Sequence, residues 1–139
     1  MAEISMSNNK EIHIAAAIIT DEQDRLLLVR KRGTRYFMQP GGKIEPGETS
    51  AEALKRELEE ELKIEVSLSS LSSLGRFQDV AANEPGYHLI ADVFRLNGRC
   101  ENISPAAEIE EALWVSLSEI QDIDLAPLTR NTIIPLIAS

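Results

Sequence analysis

Residues 41–64 read GGKIEPGETSAEALKRELEEELKI and join a glycine-rich loop to an amphipathic helix. Thr49 and Glu52 have the spacing of a capping box, so we expect the helix to begin just after Thr49. Apolar residues then recur every three to four positions and predict a buried stripe, formed by Ala51, Leu54, Leu58 and Leu62. At roughly 100° per residue, three acids fall in one arc beside that stripe. These acids are Glu57, Glu60 and Glu61.

The acidic face of this helix needs a physical explanation. Acids three or four positions apart repel one another, and the helix dipole disfavours negative charge in the last turn, where Glu60 and Glu61 lie. A divalent cation such as Mg²⁺ would remove the conflict, because it takes carboxylate oxygens as ligands. The alternative is a solvated acidic face, which is the common case for an acidic run taken without its context.

The spacing of the fixed residues resembles the signature of the Nudix hydrolase family, G-x5-E-x7-R-E-U-x-E-E-x-G-U, where U is aliphatic. The matching residues are Gly42, Glu48, Arg56, Glu57, Leu58, Glu60, Glu61 and Ile64. One position departs, since Lys63 stands where the family has its second glycine. A residue with a side chain costs roughly 1 kcal/mol more than glycine in a left-handed helix exit, so we expect an effect on stability and little on chemistry. Residues 40–45, PGGKIE, are similar to the MutT-like members.

The resemblance implies both a fold and an activity. The fold is α+β, a mixed α/β/α sandwich with a mixed central sheet and helices on both faces. The activity is hydrolysis of a phosphoanhydride bond in a nucleoside diphosphate linked to another group, with Mg²⁺ or Mn²⁺. The favoured substrate is a nucleoside triphosphate, oxidised or not, which would give the monophosphate and pyrophosphate. The alternatives are hydrolysis of ADP-ribose or a dinucleoside polyphosphate, and a regulatory nucleotide-binding domain without catalysis.

The resemblance also implies roles for residues of the signature. The candidate metal ligands are the Gly41 carbonyl and the acids Glu57, Glu60, Glu61 and Glu48, of which Glu48 could instead brace the loop. Arg56 would orient these acids through charge-assisted hydrogen bonds. The general base would be one of the helix acids, such as Glu57 or Glu60, or Glu108 from an acidic loop predicted to precede Trp114.

Candidates for substrate contact lie outside the helix. Residues 30–35 carry four cations just before the glycine pair, and guanidinium groups bind phosphate oxygens well, although a solvating charge run is the alternative. From this region we select Arg30 and Arg32, and we add Lys43, which follows the glycine pair. Asn131 is placed like the asparagine with which MutT-like enzymes read a purine base, and a helix N-cap would explain it equally well.

Length and composition limit the class of protein. The 139 residues predict one domain over residues 11–139, preceded by a disordered segment over residues 1–10. The net charge of −9 opposes binding to nucleic-acid polymers, and no apolar run approaches the roughly 20 residues of a membrane helix. The single Cys100 suits a reducing cytoplasm. The family resemblance implies a small nucleotide as the partner, and the oligomeric state is open between monomer and homodimer.

Apolar runs predict the remaining elements. Residues 12–20 and 26–30 are expected to pair as a hairpin, and residues 64–68 to form a strand. Residues 75–82 and 87–96 predict a second pair of strands, and residues 112–117 a last strand. Residues 127–138 have helical spacing, and Pro135 implies that this helix either starts near Asn131 or kinks.

Overall fold

A computed structural model describes residues 10–98 and 102–138 of the chain. The predicted disordered segment lies outside the described residues except for Lys10, and Cys100 also lies outside them. The strands are β1 (Glu11–Ile18), β2 (Leu26–Lys31), β3 (Gly41–Lys43), β4 (Leu71–Val80), β5 (His88–Leu96) and β6 (Ile109–Val115). The α-helices are α1 (Ser50–Leu62) and α2 (Ile134–Ala138), with 3₁₀ turns at Leu68–Ser70 and Leu117–Asp122 and a π-helical segment at Thr129–Ile133. No described helix is both long enough and apolar enough to cross a membrane.

The strands form two sheets. The first has the order β3-β1-β5-β4, in which β1 and β5 run parallel and the other neighbours run antiparallel. The second is the antiparallel pair β2-β6. The predicted pair over residues 75–82 and 87–96 is confirmed as β4 and β5, although β4 begins earlier, at Leu71.

The hairpin predicted from the first two apolar runs is wrong. β1 already has β3 on one edge and β5 on the other, so β2 cannot pair along it. The two runs share only a bridge between Thr20 and Leu26, after which β2 pairs with β6. The turn between them is held by Asp21, whose carboxylate accepts from the backbone N–H groups of Gln23 and Arg25.

Alternating side chains of the strands build two cores, one on each side. Ala15, Ala17, Leu27, Val29 and Phe94 pack with the apolar stripe of α1 on one side. Ile18, Leu26, Leu28, Ala91 and Val93 pack on the other side with Leu128 and Ile133 of the last helical segment. The period of two along a strand explains this division, because successive side chains point to opposite faces. The expected α+β architecture with helices on both faces is confirmed.

The strand predicted over residues 64–68 is also wrong. Ile64 is buried and Val66 packs against the same core as α1, so the apolar alternation does mark one buried face. The backbone there pairs with no strand, and the Val66 carbonyl instead accepts from Lys55 Nζ at 2.9 Å.

The last helical segment covers residues 127–138 and accommodates Pro135 by a wider turn. It begins well before Asn131, since the Arg130 N–H already donates to the Ala126 carbonyl at 3.0 Å. A start near Asn131 is therefore excluded. Across the π-helical segment, the Ile134 N–H donates to the Thr129 carbonyl five residues back. Proline has no N–H and its ring crowds the carbonyl four residues earlier, so a π turn just before it relieves both conflicts.

Candidate functional site

Helix α1 has the start that its sequence predicts, but its buried face differs from the predicted stripe, because Ala53 and Glu61 are buried and Ala51 is only partly buried. The Thr49 hydroxyl accepts from the Glu52 N–H at 3.1 Å, and the Glu52 carboxylate accepts from the Thr49 N–H at 2.9 Å. The buried face consists of Ala53, Leu54, Leu58, Leu62 and one acid, Glu61. The helix ends at Lys63, which takes the left-handed conformation with φ 59° and ψ 36°. Lys63 thus ends the helix in the left-handed conformation, which glycine adopts at a lower cost in free energy.

Two glycines bring strand β3 against the acidic face of α1. A Cβ on Gly41 would lie 2.0 Å from the Ala15 carbonyl oxygen, so only glycine permits this approach of β3 to β1. A Cβ on Gly42 would lie 2.4 Å from the Glu57 side chain. The Gly41 N–H points to Glu61 Oε1 at 3.4 Å. The glycine pair is therefore the surface against which Glu57 and Glu61 rest.

Arg56 connects the loop before the helix to the acids on it. Its guanidinium donates to both oxygens of Glu48, at 2.7 and 2.9 Å, and to Glu57 Oε2 at 2.9 Å. Glu60 lies 3.6 Å away, and the Lys43 carbonyl accepts from the same guanidinium at 3.2 Å. The hydrogen bonds from Arg56 lower the pKa of Glu48 to about 2. This geometry suits an orienting role for Arg56 and a bracing role for Glu48.

Two acids of α1 are withdrawn from water. Glu61 is only 2% exposed, and burial together with the charge of Glu57 raises its pKa to about 8. Burial also raises the pKa of Glu57, against the opposing effect of Arg56. In the described part of the chain, no Lys, Arg or His forms an ion pair with Glu61, whose hydrogen bond comes from Gly41. A positive ion beside these carboxylates would offset the cost of their burial.

The donor set fits a hard divalent cation, which prefers carboxylate and carbonyl oxygens. Glu57 and Glu61 would supply carboxylates, and the neighbouring glycine pair would supply a backbone carbonyl. The Glu60 side chain is 55% exposed. Over residues 10–98 and 102–138, no three acid, His or Cys side chains yet converge as a metal-binding group. Arg56 instead binds the carboxylates of Glu48 and Glu57.

The predicted acidic loop before Trp114 is mostly a strand. β6 already begins at Ile109, so it contains Glu110 and Glu111, and Glu108 lies just before it. Glu108 Oε1 lies 3.3 Å from Lys31 Nζ. The charge of Glu108 also helps to raise the pKa of Glu61. Glu108 therefore lies within electrostatic reach of the acidic face, as a loop acid serving that site would.

The predicted substrate residues are distributed unequally around this site. Lys43 is exposed and lines the cleft beside Glu61. Arg30 donates to Glu111 at 3.1 Å and to the Thr34 carbonyl at 2.8 Å, so its guanidinium is already engaged. Arg32 donates to the Ala107 carbonyl at 3.3 Å. Asn131 does not line the cleft; it lies inside the helix, so it is no N-cap, and it donates to Asp79 at 3.0 Å.

A cleft of about 100 Å³ opens beside the acids. Its polar lining is Lys31, Gln39, Lys43, Glu61, Asn83, Glu84 and Thr129. Its apolar lining includes Ile12, Ile14, Val80, Leu89, Ala126 and Leu128. Sequence reasoning missed Gln39 and Thr129, and the only signal for Gln39 was its place two residues before Gly41.

Comparisons with known proteins agree with this architecture. The NUDIX domain family matches residues 11–136. The 8-oxo-dGTP diphosphatase of Escherichia coli (strain K12) is 30% identical over 131 residues, which cover 91% of this chain and 97% of that protein. The solved structure of the MutT protein from Methanosarcina mazei Go1 is similar with a TM-score of 0.74 at 25% identity, covering 92% of this chain and 93% of that one.

One further neighbour carries a metal. The bifunctional NMN adenylyltransferase/ADP ribose pyrophosphatase from Francisella tularensis was solved in complex with AMP and a Mn ion. Its TM-score is 0.73 at 20% identity, and the match covers 99% of this chain and 47% of that one. At this identity the likeness shows the fold alone.

Proposed function

The chain belongs to the NUDIX domain family, and from that we propose that it hydrolyses a phosphoanhydride bond of a nucleoside triphosphate. The products would be the monophosphate and pyrophosphate, and oxidised triphosphates fall within the proposed range. One observation carries the proposal: a glycine pair holds Glu57 half-buried and Glu61 buried, and Glu61 and both glycines line a cleft. The E. coli relative is an 8-oxo-dGTP diphosphatase, and its activity supports the same reaction class.

We propose Mg²⁺ as the ion, with Mn²⁺ able to replace it. Glu57, Glu60 and Glu61 would hold it, with the Gly41 carbonyl as a further ligand. When bound, such an ion neutralises phosphate charge and activates water. Glu48 then serves as the brace that fixes Arg56, and Arg56 in turn orients Glu57.

In the proposed reaction, water attacks a phosphorus atom, a new P–O bond forms, and the P–O bond to the leaving phosphate breaks. A carboxylate takes the proton that the water loses. The candidates for this base are Glu57, Glu60 and Glu108. The electrostatic interaction of Glu108 with Glu61 supports Glu108 as one of them. Lys31 and Lys43, which line the cleft, would bind the phosphate charge.

The test is product release from a nucleotide panel with and without Mg²⁺. The panel holds canonical and 8-oxo nucleoside triphosphates, ADP-ribose and a dinucleoside tetraphosphate. Glu57→Gln and Glu60→Gln should keep the fold and lose most activity at ordinary Mg²⁺ concentrations. Glu59→Gln is the matched control, because Glu59 is exposed on the same helix.

The outcomes separate the alternatives. Full turnover by Glu60→Gln with unchanged metal dependence would remove Glu60 from the ligand set. Turnover confined to ADP-ribose or the dinucleoside polyphosphate would move the protein to that substrate branch. Tight binding of one nucleotide without any turnover would instead indicate a regulatory nucleotide-binding domain.

We also propose the setting in which the domain works. Residues 11–139 would act as one domain on free nucleotides in the cytoplasm, as a monomer or a homodimer. The net charge of −9 disfavours binding to a nucleic-acid polymer. It is compatible with a small nucleotide that binds together with a divalent cation.

A further inference from the structure

Gln39 carries a buried polar atom that the proposed chemistry does not use. The residue is 6% exposed, and its Nε2 has no hydrogen-bond partner. In the part of the chain that the structure describes, this is the one buried side-chain nitrogen or oxygen left without a partner. Buried amide groups are normally paired, so an unpaired one calls for an explanation. Gln39 also lines the cleft beside Glu61, which suggests that the partner is a ligand.

The backbone around Gln39 is held on both sides. Met38 exchanges two hydrogen bonds with Val29, at 2.8 and 2.9 Å. The Pro40 carbonyl accepts from the Ala17 N–H at 2.9 Å, and Phe37 pairs with the backbone of residues 124–126. Gln39 therefore extends from a segment fixed against β2 and β1 together, and it has little freedom to seek another partner.

The amide itself is oriented by Thr129, which lines the same cleft. Thr129 is fully buried, and its hydroxyl donates to Gln39 Oε1 at 2.8 Å. With the oxygen end satisfied, the NH₂ end remains, and it can only donate. Thr129 is thus a positioning residue that sets which end of the amide is free.

The walls around this donor indicate which part of a nucleotide it meets. Ile14, Leu89, Ala126 and Leu128 line the same cleft and are apolar. An apolar wall with one placed donor suits a flat base, whereas a polyphosphate needs charge. Lys31 and Lys43 line the same cleft and supply positive charge for a polyphosphate.

We propose that Gln39 Nε2 donates to an exocyclic carbonyl oxygen of the substrate's base and that this contact selects oxo-bases over amino-bases. The inference rests on the proposed function and names the base class for the same site. A 6-oxopurine presents a carbonyl where a 6-aminopurine presents an NH₂ group. The amino group would leave the Gln39 donor unpaired, and sites built around a hydrogen bond reject such analogues strongly.

The test compares two nucleotides that differ at the purine 6-position, the inosine and adenosine deoxynucleoside triphosphates. Wild-type protein should favour the inosine nucleotide in kcat/KM by about 10- to 100-fold, the range expected for one buried hydrogen bond. Gln39→Met, which keeps the length and removes the amide, should bring this ratio close to one. The loss should fall on the inosine nucleotide, since the adenosine nucleotide has no carbonyl to lose.

Thr129 supplies a second pair of variants, which is needed if Gln39→Met does not fold. Thr129→Val removes the hydroxyl at nearly constant volume and should reduce the inosine preference. Thr129→Ser retains the hydroxyl and should restore it. A role confined to packing predicts the opposite order, because Val fills the site better than Ser.

A binding arm separates this inference from the proposed reaction. Inosine and adenosine monophosphates are titrated into the metal-free wild-type protein and Gln39→Met. Selective binding of the inosine form without turnover of any triphosphate would overturn the proposed function and leave the inference standing. The inference would be overturned if the wild type showed no preference or no binding, or if Gln39→Met kept the wild-type preference. A structure with only an ordered water on Nε2 would overturn it as well.

Discussion

Glu61→Gln should remove a pH-dependent instability from the metal-free protein. Glu61 is buried, and its pKa is raised from 4.5 to about 8. Between these two values the unfolded chain has lost the proton that the native protein keeps. The native state then binds more protons, so the free energy of unfolding falls as pH rises through this window. Above about pH 8 the native protein no longer has the stability that the protonated Glu61 carboxyl gives it at low pH.

The size of the effect follows from the shift. One pH unit inside the window is worth about 1.4 kcal/mol, so the wild type should lose roughly 2 to 3 kcal/mol between about pH 5.5 and 7.5. Gln does not ionise, and its carbonyl oxygen can still accept from the Gly41 N–H. The stability difference between variant and wild type should therefore grow by that amount over the same range.

Urea unfolding in the presence of a chelator, at several pH values, measures this difference. Glu59→Gln on the exposed side of α1 is the control, and its difference from the wild type should stay constant. Saturating Mg²⁺ at about pH 7.5 should stabilise the wild type more than Glu61→Gln, because the ion then balances the carboxylate charge. If the stability difference between Glu61→Gln and the wild type instead stayed constant with pH to within about 0.5 kcal/mol, the claim that this carboxyl is buried without an ion pair would be refuted.

Four further substitutions test the geometry of the loop and helix. Gly42→Ala should lower kcat at least about 10-fold with the fold retained, because its Cβ would meet the carboxylate beneath it. Gly47→Ala, which meets nothing within 4 Å at φ +87°, should cost about 1 kcal/mol in urea unfolding and keep its activity. Lys63→Gly should stabilise by about 0.5 to 1 kcal/mol in the same assay, and a loss would mean that the lysine charge outweighs the strain. Arg56→Lys loses the two-oxygen contact with Glu48, so NMR titration should find the pKa of Glu48 raised from about 2 towards its ordinary value.

Local patterns account for the parts of this protein that could be read directly from its residues. The start of α1 follows from Thr49 and Glu52, and its acidic face follows from the spacing of the glutamates, because both depend on neighbours within one or two helical turns. The turn over residues 83–86 likewise predicts the pairing of β4 with β5. Such features involve contacts between residues that are close in sequence.

Longer-range pairing explains where sequence reasoning failed. Residues 12–20 and 26–30 have the pattern of a hairpin, yet β1 takes β3 and β5 as neighbours and β2 takes β6. The alternation of Ile64 and Val66 marks burial correctly but not a strand, since the backbone of these residues joins neither sheet. The periodicity of apolar residues indicates which side of a segment is buried, but it does not indicate which strand that segment pairs with.

By itself, the sequence determined the family resemblance, the start of α1, and the apolar stripe and acids along that helix. Only the tertiary structure decided the state of those acids, since Glu60 remains half exposed while Glu61 is buried under Gly41. It also brought Gln39 to Thr129, 90 positions away, and left an amide donor unpaired in the cleft. The physical reason is that burial and hydrogen-bond satisfaction depend on every element packed around a group, whereas periodicity depends on one element alone.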